Sequence, residues 1–175
     1  MPEITISIVS HGNAKSIERM ILQSDIKYFS EKFEILIREN KFQSSKIFDK
    51  LSRSKKNIKI FFNSKCYGFG KNHNLNFKES SEESKSFIVC NPDLKKLPDN
   101  FENKRTGNKF SMVSARILDF EDKETDSIRA EISFFILFLR LLRIKKIGLT
   151  NINDPKMWIP NVFMIFSKEL FSKIE

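Results

Sequence analysis

The sequence predicts an α/β domain built on a mostly parallel sheet flanked by helices. Three observations carry this prediction. Residues 4–9, 33–37, 58–62 and 87–90 are short apolar runs, each closed by polar or turn-forming residues, and read as strands. The segments between them place apolar residues on one helical face: Ile17, Met20 and Ile21 in the first, Ile47, Phe48 and Leu51 in the second. Strand and helix in alternation imply parallel pairing with right-handed crossovers, a doubly wound arrangement.

In chain order, residues 4–9 alternate β-branched residues with Thr and Ser and stop at Ser10-His11-Gly12-Asn13, a strand followed by a turn. Residues 14–29 give the first helix. Residues 33–37 give a second strand, ending at Arg38-Glu39-Asn40. Ser44 or Ser45 is suited to cap the second helix, which runs into the polar loop 52–57. Residues 58–62 form a third strand ending at Asn63. A helix is expected over 71–79, then a solvated loop over 80–85. The next strand stops on Cys90 and opens into Asn91-Pro92-Asp93, a turn signal. Residues 112–118 are a further strand candidate, the acidic run 119–126 reads as a surface loop, and 127–143 reads as a long helix. Pro155 and Pro160 bracket an irregular stretch, 162–166 return a strand, and Ser167 is placed to cap a final helix over 168–174. A chain of 175 residues is expected to make one domain, with halves at 1–100 and 101–175.

Hydrophobic content of 40%, with 18 Phe and only 5 Gly and 5 Pro, excludes a disordered or linker-like chain. Lys and Arg number 31 against 22 acids, a net charge of +9 that favours an anionic partner, although abundant Lys, Asn, Ile and Phe together also mark an AT-rich coding bias. No zinc, helix-turn-helix or RNA-recognition pattern accompanies the charge, so nucleic acid is not the expected partner. Cys66 and Cys90 form neither a disulfide framework nor a metal pair and read as buried reduced thiols of a cytoplasmic protein. The apolar block at 132–142 is interrupted by Arg140, and a membrane span needs about 20 residues. Arg140, Arg143, Lys145 and Lys146 beside Phe134, Phe135, Phe138 and Leu141 read either as the solvated end of a core helix or as a peripheral contact with an anionic inner-membrane face.

In a doubly wound sheet the carboxyl ends of the strands share one rim, where ligands bind. Four ends carry polar groups suited to a nucleotide: Ser10 to Asn13, Glu39-Asn40, the 63–74 segment and Asn91-Pro92-Asp93. Glu39 is placed to accept hydrogen bonds from a ribose or base edge, or is simply a solvent-facing acid. Gly68-Phe69-Gly70 allows close backbone approach to a ligand, with Lys71 as a cation near phosphate. His73 lacks a second His or Cys at ligand spacing and is a lesser candidate for metal binding or proton transfer. Asp93 is a candidate oxygen ligand for Mg²⁺ or Mn²⁺ carrying a phosphorylated substrate, or the acid of an Asn-Pro-Asp turn.

These segments, in this order, resemble family 2 glycosyltransferases of GT-A fold, particularly the rhamnosyltransferase-like branch. The family reads strand-T-Y-N, strand-D-N, N-x-G-F-G-x-x-x-N and N-P-D; this chain has Ile4 to Asn13, Glu34 to Asn40, Asn63 through Gly68-Phe69-Gly70 to Asn74, and Asn91-Pro92-Asp93. Ser127-Ile128-Arg129 resembles the family's S-x-R segment, and Trp158 to Phe171 its W-x-x-G-A-F-M-x-x-R-x-x-F segment. The resemblance implies a nucleotide-diphosphate sugar held by Ser10, His11, Asn13, Glu39, Asn40, Gly68, Phe69, Lys71 and Asn74, with Asp93 holding Mg²⁺ or Mn²⁺ on the diphosphate. It implies transfer of a hexosyl or rhamnosyl group to a glycan or lipid-linked acceptor in surface polysaccharide assembly, with residues 1–100 as the nucleotide-sugar-binding half and 101–175 as the start of the acceptor side.

The departures are specific. Glu39 stands for the usual Asp, His11-Gly12 for the usual aromatic position, and Asn161-Val162 for Gly-Ala. The family continues into G-F-D-E and E-D-x-D segments that supply the acid taken to be the catalytic base, whereas this sequence stops at Glu175. Loss of a general base costs about 10²- to 10⁴-fold in rate. The sequence therefore also fits a truncated product, one part of a split enzyme, or a non-catalytic nucleotide-sugar-binding remnant.

Overall fold

A computed structural model describes residues 2–24, 30–41, 46–98, 101, 111–115, 117–118, 124–125, 129–130, 157–158 and 162–175. The chain divides into two compact units, Met1–Val113 with Val162–Glu175, and Ser114–Asn161. The elements run β1 (Ile4–Ser10), α1 (Ala14–Gln23), β2 (Phe33–Glu39), α2 (Lys46–Ser54), β3 (Ile58–Phe62), α3 (Phe69–Lys78), β4 (Ser86–Cys90) and β5 (Met112–Ser114). Then come β6 (Ile117–Leu118), β7 (Glu124–Thr125), β8 (Arg129–Ala130), β9 (Met157–Trp158), β10 (Phe163–Ser167) and α4 (Lys168–Ile174).

Six strands form one sheet in the order β3-β2-β1-β4-β10-β5. β1 pairs in parallel with β2 and β4, and β2 with β3, while β10 runs antiparallel to β4. The sheet is thus α/β and mostly parallel, as its sequence pattern predicts. β1, β2 and β4 are buried along their whole length, the condition of strands covered by helices on both faces.

Alternation of side chains along a strand separates those two faces. The middle of one face is apolar, with Ile6, Ile8, Ile35, Ile37 and Ile88 fully buried, and toward the carboxyl ends of β1 and β2 the same face carries Ser10 and Glu39. α2 covers it, with the Phe48 ring edge-on to Phe62 at 6.3 Å, and the α1 residues Ile17, Met20 and Ile21 are buried beside it. The opposite face is divided. Over β4 and β10 it is apolar, a cluster of Phe87, Val89, Met164, Phe166 and Phe171 against which Phe77 of α3 and Leu170 of α4 pack. Over β1 to β3 it is polar, presenting Thr5, Ser7, Glu34, Arg38 and Lys59.

Several expectations are adjusted. α3 begins at Phe69 rather than residue 71, because Gly68 in extended conformation serves as its N-cap. Residues 112–118 are not one strand: β5 joins the main sheet and β6 pairs antiparallel with β7. β7 lies inside the acidic run read as a loop. Arg129 and Ala130, read as helical, pair instead with Trp158 and Met157. Two residues are too few for a strand period to register, and the β8–β9 partners also lie far apart in sequence. The rest of the predicted 127–143 helix, with its basic end, lies outside the described residues. Ser167 does cap the last helix, its Oγ accepting from Leu170 N–H at 3.3 Å. Among the described residues no helix is long and apolar enough to cross a membrane.

Phe171 joins α4 to the sheet, its ring centroid 4.4 Å from Phe87, 4.9 Å from Phe77 and 5.3 Å from Phe166. Phe171→Ala is expected to cost about 3–5 kcal/mol, read as a lower urea midpoint with unchanged m-value by far-ultraviolet circular dichroism. A loss below about 1 kcal/mol would mean that α4 does not close this core.

Candidate functional site

The four parallel strands end on one edge of the sheet. Ser10 is level with Glu39 and Glu39 with Phe62, while Ile8 is level with Cys90. Continuing that last register brings Pro92 level with Ser10. Strand order turns back here: β1 to β3 proceed outward on one side, and β4 enters on the other side of β1. The crevice outside the carboxyl ends of such neighbours is where open α/β sheets bind ligands. The loop after β1 and the Asn91-Pro92-Asp93 turn after β4 flank it. Asp93 is exposed, and Asn91 N–H donates to Val162 O at 2.9 Å, fixing the start of its turn.

A buried carboxylate ties the loops after β1 and β2 together. Glu39 is 2% exposed. Its Oε2 accepts from Ser10 Oγ at 2.6 Å, and its Oε1 accepts from the backbone N–H groups of Gly12 at 3.1 Å and Lys41 at 2.7 Å. Ser10 Oγ in turn accepts from Asn13 N–H at 3.1 Å, and Asn13 Oδ1 accepts from His11 N–H at 3.0 Å. Ser10, His11, Asn13 and Glu39 therefore form one knot. Both Glu39 oxygens are engaged by the chain itself, so the carboxylate builds the rim instead of standing open as an acceptor for ligand. Gly12 has φ +81, a left-handed conformation suited to glycine. A Cβ there would stand 3.3 Å from Lys41 Cδ, so the missing side chain also makes room for the lysine stem.

Asn40, Gly68, Phe69 and Lys71 are gathered by the β3–α3 loop. Asn40 Oδ1 accepts from Tyr67 N–H and Asn40 Nδ2 donates to Tyr67 O, both at 2.8 Å, much as a neighbouring strand would. Gly68 leads into the first turn of α3, with Phe69 42% exposed and the Lys71 Nζ 4.7 Å from the Tyr67 ring centroid. Asn74 is half-buried on α3. Asn63 and Asn72, not singled out as site residues, lock this loop: Asn63 Nδ2 donates to Asn40 Oδ1 and Asn72 Oδ1, and Asn72 Nδ2 donates to the carbonyls of Tyr67 and Gly68. The run of Asn residues through 63–76 was the available signal.

Beneath α3 lies Arg38, its guanidinium donating to Asn76 Oδ1 at 2.8 Å and Asn63 Oδ1 at 3.3 Å and resting 4.8 Å from the Phe61 ring centroid. Burial pulls its pKa below the ordinary value, with Glu79 acting in the opposite direction. His73 is not at the rim. It is buried against the sheet, with Nδ1 2.7 Å from Ser7 Oγ and Nε2 without a hydrogen-bond partner. Burial holds its pKa down to about 3. A neutral imidazole sealed this way is a packing residue, which corrects its reading as a metal or proton-transfer candidate. Cys66 is likewise exposed, not buried, its thiol donating to Asn40 O at 3.2 Å. Cys90 is buried as expected, and burial together with Asp93 pushes its thiol pKa up.

Among the described residues no group of three or more His, Cys, Asp or Glu side chains could hold a metal ion by itself. Mg²⁺ at phosphate sites is typically held by one or two carboxylates, with substrate phosphates and water filling the shell. A single exposed Asp93 fits that second kind of site only.

No protein-family model matches the chain, and no curated protein matches it by sequence. Solved structures do match in fold. A mannosyltransferase from Pyrobaculum calidifontis, in complex with GDP-Man and Mn²⁺, aligns over 99% of this chain with a TM-score of 0.56 at 12% identity. The S. aureus TarS fragment 1–349 aligns over 99% with 0.57 at 10%, and a 4-diphosphocytidyl-2C-methyl-D-erythritol synthase from Anaerococcus prevotii over 99% with 0.57 at 16%. The chain spans 46%, 49% and 76% of those structures, so less than half the length of the first two. The fold is a GT-A-like α/β sheet.

Two predictions follow from these geometries. Glu39→Ala strands three donors and should cost on the order of 3 kcal/mol, while Glu39→Gln, able to keep both backbone donors on its carbonyl, should cost about 1 kcal/mol. Equal costs in denaturant titrations would contradict the knot. For His73, the unfolded chain takes up a proton near pH 6.5 while the folded chain resists until about 3. Stability is therefore intact above pH 6.5 and falls as pH drops between those values, by up to about 1.4 kcal/mol per unit. Comparing wild type with His73→Gln across that window checks it: the same pH slope in both proteins would refute the buried neutral imidazole.

Proposed function

We propose that the crevice between β1 and β4 binds a nucleotide-diphosphate sugar and that the chain serves glycosyl transfer to a glycan or lipid-linked acceptor, in surface polysaccharide assembly. The observation that carries this reading is the rim itself. Ser10 to Asn13 and Asp93 come from the two strands that flank the reversal of strand order, and the α3 terminus brings Gly68, Phe69 and Lys71 from the next loop. The fold likeness to a mannosyltransferase crystallised with GDP-Man and Mn²⁺ supports it. The order of the motifs supports a likeness to family 2 and its rhamnosyltransferase-like branch.

In this reading Lys71 and the first N–H groups of α3 face the negative charge of the ligand. Exposed Phe69 offers an apolar surface beside them. Asp93 would be the protein's ligand for Mg²⁺ or Mn²⁺, with the remaining ligands drawn from the substrate and water. Bound there, the metal would neutralise charge developing on the diphosphate leaving group. Glu39 acts by shaping the loops that receive the nucleotide.

The sheet alone does not select the reaction, since a diphosphocytidyl-erythritol synthase shares the fold, and nucleotide-sugar binding without turnover is the second reading. Turnover of UDP-, GDP- and dTDP-sugars, with Asp93→Asn as control, separates the two. Release of nucleoside diphosphate above the control supports transfer, while binding without release supports the second reading.

Ligand binding is tested first by thermal unfolding. Saturation at 100 times Kd stabilises by about 2.7 kcal/mol, a rise of roughly 5–10 °C for a chain of this size. Because Asp93 is a lone ligand, Mn²⁺ alone should leave Tm unchanged, nucleoside diphosphate with Mn²⁺ should raise it, and Asp93→Asn should remove the Mn²⁺-dependent part. Absence of a shift with UDP, GDP, dTDP and CDP, each with Mn²⁺, would overturn the proposal.

A further inference from the structure

We infer that Asn40, its amide oriented by the Tyr67 backbone and backed by Asn63 and buried Arg38, fixes the tautomer of His11 and presents its Nε2–H as a donor to an oxygen of the bound nucleotide. The ligand half of this inference rests on the function proposed above; the tautomer half stands alone. Each amide is oriented by partners whose roles are not reversible. Tyr67 N–H only donates, so the Asn40 atom it meets is Oδ1; Tyr67 O only accepts, so the Asn40 atom it meets is Nδ2. Arg38 Nη1 only donates, which makes its Asn63 partner the oxygen and turns Asn63 Nδ2 onto Asn40 Oδ1 at 3.0 Å. Asn72 agrees, since its Nδ2 meets two backbone carbonyls and its Oδ1 accepts from Asn63.

Asn40 Nδ2 has a second hydrogen, and His11 Nδ1 lies 3.4 Å away. A ring nitrogen facing a donor must offer a lone pair, so neutral His11 carries its proton on Nε2. With Nδ1 turned to Asn40, Nε2–H points away from the network, on an exposed residue at the end of β1. Nucleotides are rich in oxygen acceptors, in phosphate, ribose and base carbonyls, while the nearby Glu39 carboxylate and Ser10 hydroxyl are occupied by the chain. A donor-only edge at this position complements them. Arg38, Asn63 and Asn40 are positioning residues in this scheme; His11 makes the contact.

The tautomer is read directly from long-range ¹⁵N–¹H correlation spectra of the imidazoles at pH 8, which the presence of only two histidines, His11 and His73, makes assignable. Wild type should show His11 protonated on Nε2, and Asn40→Asp, which replaces the donor by an acceptor, should move the proton to Nδ1. Should that variant not fold, Asn40→Ala should leave His11 as the tautomer mixture of a free imidazole. A wild-type Nδ1–H, or a His11 spectrum unchanged in a folded variant, overturns the relay. For the contact, His11→Phe keeps a ring without the N–H and should weaken UDP about three- to tenfold. An equal loss for pyrophosphate assigns the acceptor to phosphate, and a loss confined to UDP assigns it to the nucleoside. Unchanged affinity for both overturns the donor role. If wild type binds neither probe while His11 remains Nε2–H, the nucleotide reading fails and the relay stands.

Discussion

The geometry of the rim depends on one buried carboxylate. Removing Glu39 from water is costly unless its charge is met by well-placed donors, and the chain supplies three, from Ser10, Gly12 and Lys41. Because those donors lie on the loops after two different strands, satisfying the charge also dictates where both loops run. The left-handed turn at Gly12 and the lysine stem packed over it are consequences of that demand. A ligand arriving at the crevice meets loops whose shape has already been set, which lowers the ordering cost of binding.

The two faces of the sheet divide the work of folding. The face under α1 and α2 and the Phe cluster around Phe87 and Phe171 are apolar and supply burial energy in proportion to area. The polar patch under α3 does something else. A buried network contributes little net stability, but an unmet partner within it is expensive, so it admits few arrangements. Every amide there has a determined orientation, and the chain of contacts from Arg38 to Asn40 ends at the rim. Below it, Glu34 repeats the pattern with Thr5, Ser81 and Lys59.

Periodicity made the sheet legible. Ile4 to Ser10 and Phe87 to Cys90 read as strands because apolar β-branched and aromatic residues are concentrated there, and Ser167 announced the last helix through its hydroxyl. The rim was legible as a set of polar strand ends, since parallel strands must finish on a common edge. What each residue does there was not. Glu39 looked available to a ligand, yet two of its three partners are backbone N–H groups that no pattern of side chains reveals. His73 was a lesser candidate for chemistry, and its position on α3 turns it toward Ser7. The short ladders β6–β7 and β8–β9 escaped because two-residue strands carry no readable period, and Cys66 was misplaced because its surroundings are set by residues far along the chain.

The central claim is that a nucleoside diphosphate and a divalent cation meet at the crevice between β1 and β4, each needing the other. Paramagnetic broadening by substoichiometric Mn²⁺ in ¹⁵N–¹H spectra of the protein saturated with UDP tests this most directly. The account predicts loss of amide signals first at Asn91, Asp93, Leu94 and residues 10–13, and no selective loss when UDP is omitted. Broadening centred elsewhere, or equally strong without nucleotide, would contradict it.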